Sequence, residues 1–157
     1  MSRAFIKEDA GDSDDLPERH QSTAPNYVTQ EGLKSLLAKA EDRRARLSGL
    51  EPDSRGAREL RRDLRYYEGR LGSAIPVDPK AGPGDEVRFG AEVELAGMDG
   101  SVRVVRVVGQ DEAEEGGNMI AWDTPLALAL MGRKAGDRVE AGEEGVFIVK
   151  TILYPGR

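Results

Sequence analysis

The hydrophobic period of this chain changes near residue 75, and that change limits the folds open to it. Over residues 29–74, apolar residues recur in alternating steps of three and four, the spacing of a helical seam. A turn-forming interruption over 49–56, which contains Pro52, separates two such seams. The first seam comprises Leu33, Leu37, Ala40 and Leu47, with Arg44 in the remaining position, and the second comprises Ala57, Leu60, Leu64, Tyr67 and Leu71. We therefore predict two helices that pack antiparallel.

Cap residues predict where these two helices begin and end. Thr29 can accept a hydrogen bond from an unpaired N–H of the first turn. Gly49 is predicted to follow the first helix in the left-handed conformation, and Gly72 to end the second helix. At 1.5 Å per residue, the hairpin is roughly 25–30 Å long. Its seam is thin, so we expect its base to lean on the domain that follows.

Beyond residue 75 the apolar residues alternate with polar ones, as they do in half-buried strands. Asp99-Gly100 is a hairpin-turn signal. The predicted elements are strands over 87–95, Val102–Val108 (central), 119–122, from Val139 and over 146–154, and a helix capped by Asp123 or Thr124 that runs from Pro125 to about Met131. The chain is thus predicted to be α+β, with an N-terminal antiparallel coiled-coil hairpin followed by an antiparallel β-rich domain that has one short helix.

The charge changes sign at the same boundaries. Residues 1–28 carry a balance of −3, residues 29–75 of +3 and residues 76–157 of −6, which sum to the net −6. We predict that 1–28 is a disordered acidic leader, because it holds too few apolar residues to offset the entropy of ordering. The alternative is a docking segment around Phe5-Ile6 that orders on a partner.

Composition excludes several classes of function. The chain has no Cys and a single His, His20, which excludes disulfide scaffolds and thiolate zinc sites and argues against a Ser/His/Asp triad. Neither a phosphate-binding loop nor an 18-residue apolar run occurs in it. Its acidity argues against holding duplex DNA by bulk electrostatics. We expect a cytoplasmic protein without a membrane span, a metal site or a cofactor of its own.

Three features each allow a structural and a functional interpretation. The acidic run over 110–117 is expected to be a solvated loop, the alternative being a site for a divalent ion. Trp122 is expected in a core or interface, the alternative being a ligand platform. Eight arginines flank the predicted turn, and either an ion-paired surface or a contact with RNA or an acidic protein surface fits them. These are Arg43, Arg44, Arg46, Arg55, Arg58, Arg61, Arg62 and Arg65.

Several short motifs, in order along residues 27–154, resemble the Gre family of bacterial transcript-cleavage and elongation factors. They are YVTQEGL (27–33), VRFGAEV (87–93), VVGQDE (107–112), TPLALAL (124–130), Gly136-Asp137 and Tyr154. The leader resembles that of a Gre-like subgroup with an extra N-terminal segment. The resemblance implies an FKBP-like C-terminal domain that docks on the rim of the secondary channel of RNA polymerase, while the hairpin enters the channel.

The resemblance also implies which residues act. Docking on bacterial RNA polymerase would use Trp122, Asp123, Thr124 and Pro125. In the family, acids at the hairpin tip help hold the polymerase's own Mg²⁺. This tip has only Glu51 and Asp53, and Arg55 stands near the place of the family's Glu. Arg55, Arg58 and Arg62 would contact the channel wall or the nascent RNA.

The hairpin is also shorter than in full Gre factors and closer to the Rnk type, which binds polymerase without stimulating cleavage. We therefore expect a monomeric accessory factor that binds polymerase and modulates transcription with little cleavage. It would act through polymerase and not as an enzyme itself. The alternatives are a factor that stimulates cleavage of backtracked RNA and a peptidyl-prolyl isomerase-like module. The isomerase is disfavoured because eight aromatic residues supply little for an apolar pocket.

Overall fold

The computed structural model describes residues 16–156, and its N-terminal half is a helical hairpin. Helix α1 spans Gln30–Leu47 and helix α2 spans Arg55–Ser73. Each has a side-chain cap: Thr29 Oγ1 accepts from the Gly32 N–H at 2.9 Å, and Ser54 Oγ accepts from the Ala57 N–H at 3.1 Å. The two-helix prediction is confirmed.

The predicted seam of α1 is correct at Leu33 and Ala40 and wrong at the two positions given to Leu37 and Arg44. Leu36 is 2% exposed and packs against the tyrosines of α2, whereas Leu37 is 46% exposed. Arg43, rather than Arg44, lies over the ring of Tyr67, with its guanidinium carbon 5.1 Å from the ring centroid. Both phases satisfy alternating steps of three and four, so spacing alone could not choose between them.

Neither glycine ends its helix as predicted. Gly49 does not have a positive φ; α1 ends at Leu47, and the Gly49 N–H bonds to the Arg46 carbonyl at 3.2 Å. Gly72 lies inside α2. That helix ends because the next residues form strand β2, Ala74–Pro76, which pairs in parallel with strand β1, Asn26–Val28. This small sheet at the base of the hairpin has no counterpart in the predicted elements.

The predicted leader divides at residue 16. Residues 1–15, including Phe5-Ile6, lie outside the described residues. From residue 16 onward the chain contacts α2, with Glu18 paired to Arg65 at 2.5 Å, before it enters β1. The expectation of a disordered leader is therefore wrong for residues 16–28.

The C-terminal domain is a five-stranded sheet in the order β5-β4-β3-β7-β6. Its strands are β3 Glu92–Gly97, β4 Val102–Val108, β5 Met119–Ala121, β6 Arg138–Glu140 and β7 Val146–Leu153. Neighbouring strands are antiparallel except β4 and β5, which are parallel. The connection between those two contains helix α3, Gln110–Ala113. The α+β prediction is confirmed, and the expectation of a wholly antiparallel sheet is wrong at this pair.

Helix α4, Pro125–Leu130, supplies the other layer of this domain. Leu126 and Leu130 are buried against Val93 and Val107 of the sheet. The predicted first strand starts five residues late, at Glu92, because Gly90 (φ +90°) turns the chain just before it. The preceding Val87 N–H bonds instead to the Arg133 carbonyl at 2.8 Å.

Candidate functional site

The segment 122–125 is held rigidly at the start of α4. Thr124 caps the helix: its Oγ1 accepts from the Ala127 N–H at 3.4 Å and donates to the Ala121 carbonyl at 2.8 Å. Pro125 occupies the first turn, where no N–H is needed. The Trp122 N–H bonds to the Val108 carbonyl at 3.0 Å. These bonds anchor the segment to the end of the sheet, as the sequence predicted for the cap.

Trp122 forms one wall of an apolar cavity. Its ring meets Tyr27 edge-on, with centroids 5.1 Å apart, and its Nε1 has no hydrogen-bond partner among the described residues. The cavity, of about 360 Å³, is also lined by Val77, Phe89 and Met131. We expected too few aromatic residues for an apolar pocket, and that expectation is wrong, because the fold brings three of them together here.

Asp123 connects this segment to the hairpin. Its Oδ2 accepts from Gln110 Nε2 at 2.7 Å, and Gln110 Oε1 accepts from Arg70 Nη2 at 3.4 Å. Arg70 belongs to α2, so a polar chain runs from the segment 122–125 across α3 to the base of the hairpin. Sequence reasoning did not identify this connection.

A buried ion pair joins the two domains. The Arg70 side chain is 2% exposed, and its Nε donates to Asp111 Oδ2 at 2.6 Å. Its Nη2 donates to Asn26 Oδ1 at 2.7 Å. The Tyr66 hydroxyl donates to the other oxygen of Asp111. Burial and the Asp111 carboxylate raise the pKa of Tyr66, so its hydroxyl keeps the proton that it donates.

A second acid of α3 closes against the start of α1. Glu112 Oε2 accepts from Thr29 Oγ1 at 2.6 Å. The backbone must come close here, since a Cβ on Gly32 would lie 2.6 Å from the same oxygen. Burial raises the pKa of Glu112, and the hydrogen bond from Thr29 opposes this effect.

The solvated acidic loop predicted over 110–117 is therefore wrong for Asp111 and Glu112. Both are buried because a hairpin side chain satisfies each of them. Of the later acids, Glu115 accepts from Ser35 Oγ at 2.6 Å and from Lys39 Nζ at 2.8 Å. Over residues 16–156, no three His, Asp or Glu side chains gather as candidate metal ligands. We call the contacts between the hairpin and α3 the joint. Its one signal in the sequence was Tyr66 and Arg70, which lie four residues apart on one helix face.

The hairpin tip carries two acids and several nearby arginines. Glu51 and Asp53 are exposed, in a turn closed by the Ser54 N–H bonding to the Glu51 carbonyl at 3.0 Å. Two arginines donate to carbonyls of the same turn: Arg58 Nη1 to Asp53 at 3.0 Å and Arg61 Nη2 to Pro52 at 2.6 Å. Those arginines brace the tip.

The other two predicted contact arginines have acidic neighbours. Arg55 pairs with Glu59 at 3.0 Å, and Arg62 pairs with Asp63 at 3.5 Å. Both pairs are within α2, and Arg55 remains mostly exposed. An exposed pair such as Arg55–Glu59 is weak, so it leaves that guanidinium available to a stronger anionic partner. The Arg62 side chain is only 26% exposed.

Comparison with known proteins identifies the C-terminal domain. Residues 82–152, which include β3 to β6, all but the last residue of β7 and the segment 122–125, match the family model described as "Transcription elongation factor, GreA/GreB, C-term". Over these residues the chain is similar to the C-terminal domain of the GreA/GreB family. The resemblance read from the short motifs is confirmed.

Individual Gre proteins match over part of their length. The transcription elongation factor GreA of Zymomonas mobilis is 44% identical over 73 residues, 46% of each chain. GreB of Neisseria meningitidis is 41% identical over 86 residues, 54% of this chain and 53% of GreB. This chain thus spans about half the length of these two relatives.

This chain also resembles a solved structure, and its helices can be compared with the needs of a membrane span. The prokaryotic transcription elongation factor GreA/GreB from Nitrosomonas europaea is 19% identical, over 84% of this chain and 100% of that one, with a TM-score of 0.42. Within residues 16–156, every helix is too short or too polar to cross a membrane.

Proposed function

We propose that this protein is a cytoplasmic accessory transcription factor. It binds bacterial RNA polymerase and modulates elongation or initiation, without being an enzyme itself. The observation that carries the proposal is the GreA/GreB family match over residues 82–152. The relatives that share this domain are named transcription elongation factors.

The segment 122–125 is the proposed polymerase contact. Its backbone is fixed by the Thr124 cap, so little conformational entropy is lost on binding. Beside it, the cavity lined by Trp122, Tyr27 and Phe89 is suited to an apolar side chain of the partner. Asp123 adds one negative charge at the edge of this surface, which favours a basic residue opposite it.

The proposed factor stimulates little transcript cleavage. To assist hydrolysis, a tip carboxylate must come within about 2.0–2.6 Å of a divalent ion of the polymerase. Helix α1 has 18 residues, so the tip stands roughly 27 Å from the base. The only acids in the turn are Glu51 and Asp53. Arg58 and Arg61 donate to backbone carbonyls of the same turn, and cations held so near weaken the attraction of the two carboxylates for a metal ion. The alternative remains cleavage stimulated by these two acids.

Binding to purified bacterial polymerase tests the proposed contact. Asp123→Arg inverts the charge beside the cavity while leaving the Thr124 cap in place, so we expect affinity to fall at least about tenfold. Glu94→Arg is the matched control, because Glu94 lies on the face of β3 opposite the buried Val93 and Leu95. Equal affinity of Asp123→Arg and the parent protein would remove the segment 122–125 from the contact.

Backtracked polymerase complexes test the role of the tip. We expect little transcript shortening by the parent protein, and Glu51→Ala/Asp53→Ala to leave binding intact. Arg55→Ala/Arg58→Ala/Arg62→Ala should weaken binding, most of all at low salt, where exposed charges are least screened. Strong Mg²⁺-dependent cleavage that disappears in the Glu51→Ala/Asp53→Ala variant would establish the alternative function.

A further inference from the structure

Residues 16–21, which precede β1, lie against α2 and form what we call the strap. Glu18 accepts from Arg65 through both Nε, at 3.0 Å, and Nη2, at 2.5 Å. Arg19 Nη1 donates to Asp63 Oδ1 at 3.4 Å. Two consecutive strap residues thus pair with oppositely charged partners on the same helix.

Arg19 of the strap also stacks on an aromatic ring. The guanidinium carbon of Arg19 lies 3.9 Å from the centroid of Tyr66 and 5.2 Å from that of Tyr67. A planar cation over a ring face is attracted by the ring's quadrupole. It also covers the ring, and Tyr66 is one of the buried aromatic residues of the hairpin.

The surface of α2 is shaped to receive the strap. The end of the Gln21 side chain fills the space beside Gly69, where a Cβ would collide with it and require that side chain to move. After the strap, Asn26 Nδ2 donates to the Arg70 carbonyl at 2.8 Å and β1 pairs with β2. The strap is therefore fitted to the helix by shape as well as by charge.

Tyr66 links the strap to the other domain. One side of its ring meets Arg19, and its hydroxyl donates to Asp111 of α3, which also receives Arg70. We propose that the strap locks the hairpin in one orientation on the C-terminal domain, with Arg19 as a positioning residue that holds Tyr66 on Asp111. This inference concerns the joint alone and stands whether or not polymerase is the partner.

The physical reason is local. Arg19 forms one wall of the site that holds the Tyr66 ring, so its side chain restricts the ring to the rotamer that reaches Asp111. It also keeps water away from that hydrogen bond, and a bond in a drier environment is stronger. Without Arg19, water competes for the Tyr66 hydroxyl, and the hairpin loses one of its links to α3.

The chain has no cysteine, so two spin labels can be placed without altering the background. Glu51→Cys at the exposed tip and Lys150→Cys on the exposed side of β7 report the distance between the hairpin and the sheet. The labelled full chain is measured by pulsed electron paramagnetic resonance, with and without Arg19→Ala. The matched control is Arg44→Ala, which removes an exposed α1–α2 pair with Glu68.

We expect one narrow distance distribution in the parent protein and in Arg44→Ala. In Arg19→Ala the distance distribution should broaden and lose its single maximum. Tyr66→Phe should have the same effect, because it removes the hydroxyl that donates to Asp111. Arg19→Lys, which keeps the charge near Asp63 without the planar stack, should be intermediate. Narrow, unchanged distributions in Arg19→Ala and Tyr66→Phe would overturn the proposal. So would a loss of helical circular dichroism in Arg19→Ala with an unchanged distribution in Tyr66→Phe, since the strap would then only stabilise α2.

Discussion

Removing the carboxylate of Asp111 should be among the most destabilising single changes in this protein. Its partner Arg70 has a side chain only 2% exposed, and the two are 2.6 Å apart. Asp111→Ala leaves the guanidinium buried without its counterion and the Tyr66 hydroxyl without its acceptor. Breaking a buried pair in this way costs about 3–5 kcal/mol.

An exposed ion pair of the same type provides the comparison. Arg103 and Glu144 are 2.5 Å apart, but each side chain is 42% exposed. Glu144→Ala should therefore cost below about 1 kcal/mol, because water screens the pair and solvates the remaining arginine. The two costs differ through burial and not through the lengths of the ion pairs.

Urea unfolding, followed by circular dichroism, measures both free energies of unfolding. The double variant Arg70→Met/Asp111→Ala should be more stable than Asp111→Ala alone, because it no longer buries an unpaired charge. If Asp111→Ala costs no more than Glu144→Ala, the joint between the two domains contributes little stability, and the reasoning from burial is refuted.

Three further changes test the packing. Leu36→Ala should lower the free energy of unfolding by about 2–5 kcal/mol, and the exposed Leu37→Ala far less; equal losses would contradict the observed seam. Burial raises the pKa of Glu112 and disfavours its ionised form. Glu112→Gln should therefore leave the free energy of unfolding unchanged well below the ordinary carboxyl pKa of 4.5. As the pH rises past that value, the variant should become more stable than the parent protein. Gly109→Ala should lower the thermal midpoint, because its Cβ would collide with the Tyr27 carbonyl; an unchanged midpoint would show that the backbone yields there.

Local chemistry in the sequence was sufficient to predict the two long helices, helix α4 and most strands of the C-terminal domain. The Thr29 and Thr124 caps act between residues three apart, so a short stretch contains all of the interaction. The β-branched run over Val102–Val108 and the Asp99-Gly100 turn likewise predict strand and turn without reference to the rest of the chain. The family match also depends on consecutive residues of one domain.

The joint between the domains depended on the tertiary structure. Arg70 and Asp111 are 41 residues apart in the chain, and Thr29 and Glu112 are 83 apart. An acidic run that follows a strand is ordinarily solvated; Asp111 and Glu112 are buried only because α1 and α2 bring a cation and hydroxyl donors to them. The phase of the α1 seam was decided in the same way, since Leu36 and Leu37 fit the heptad equally and only packing against Tyr66 and Tyr67 selects Leu36. Periodicity shows that a helix has a buried face, whereas the atoms that approach it determine which residues form that face.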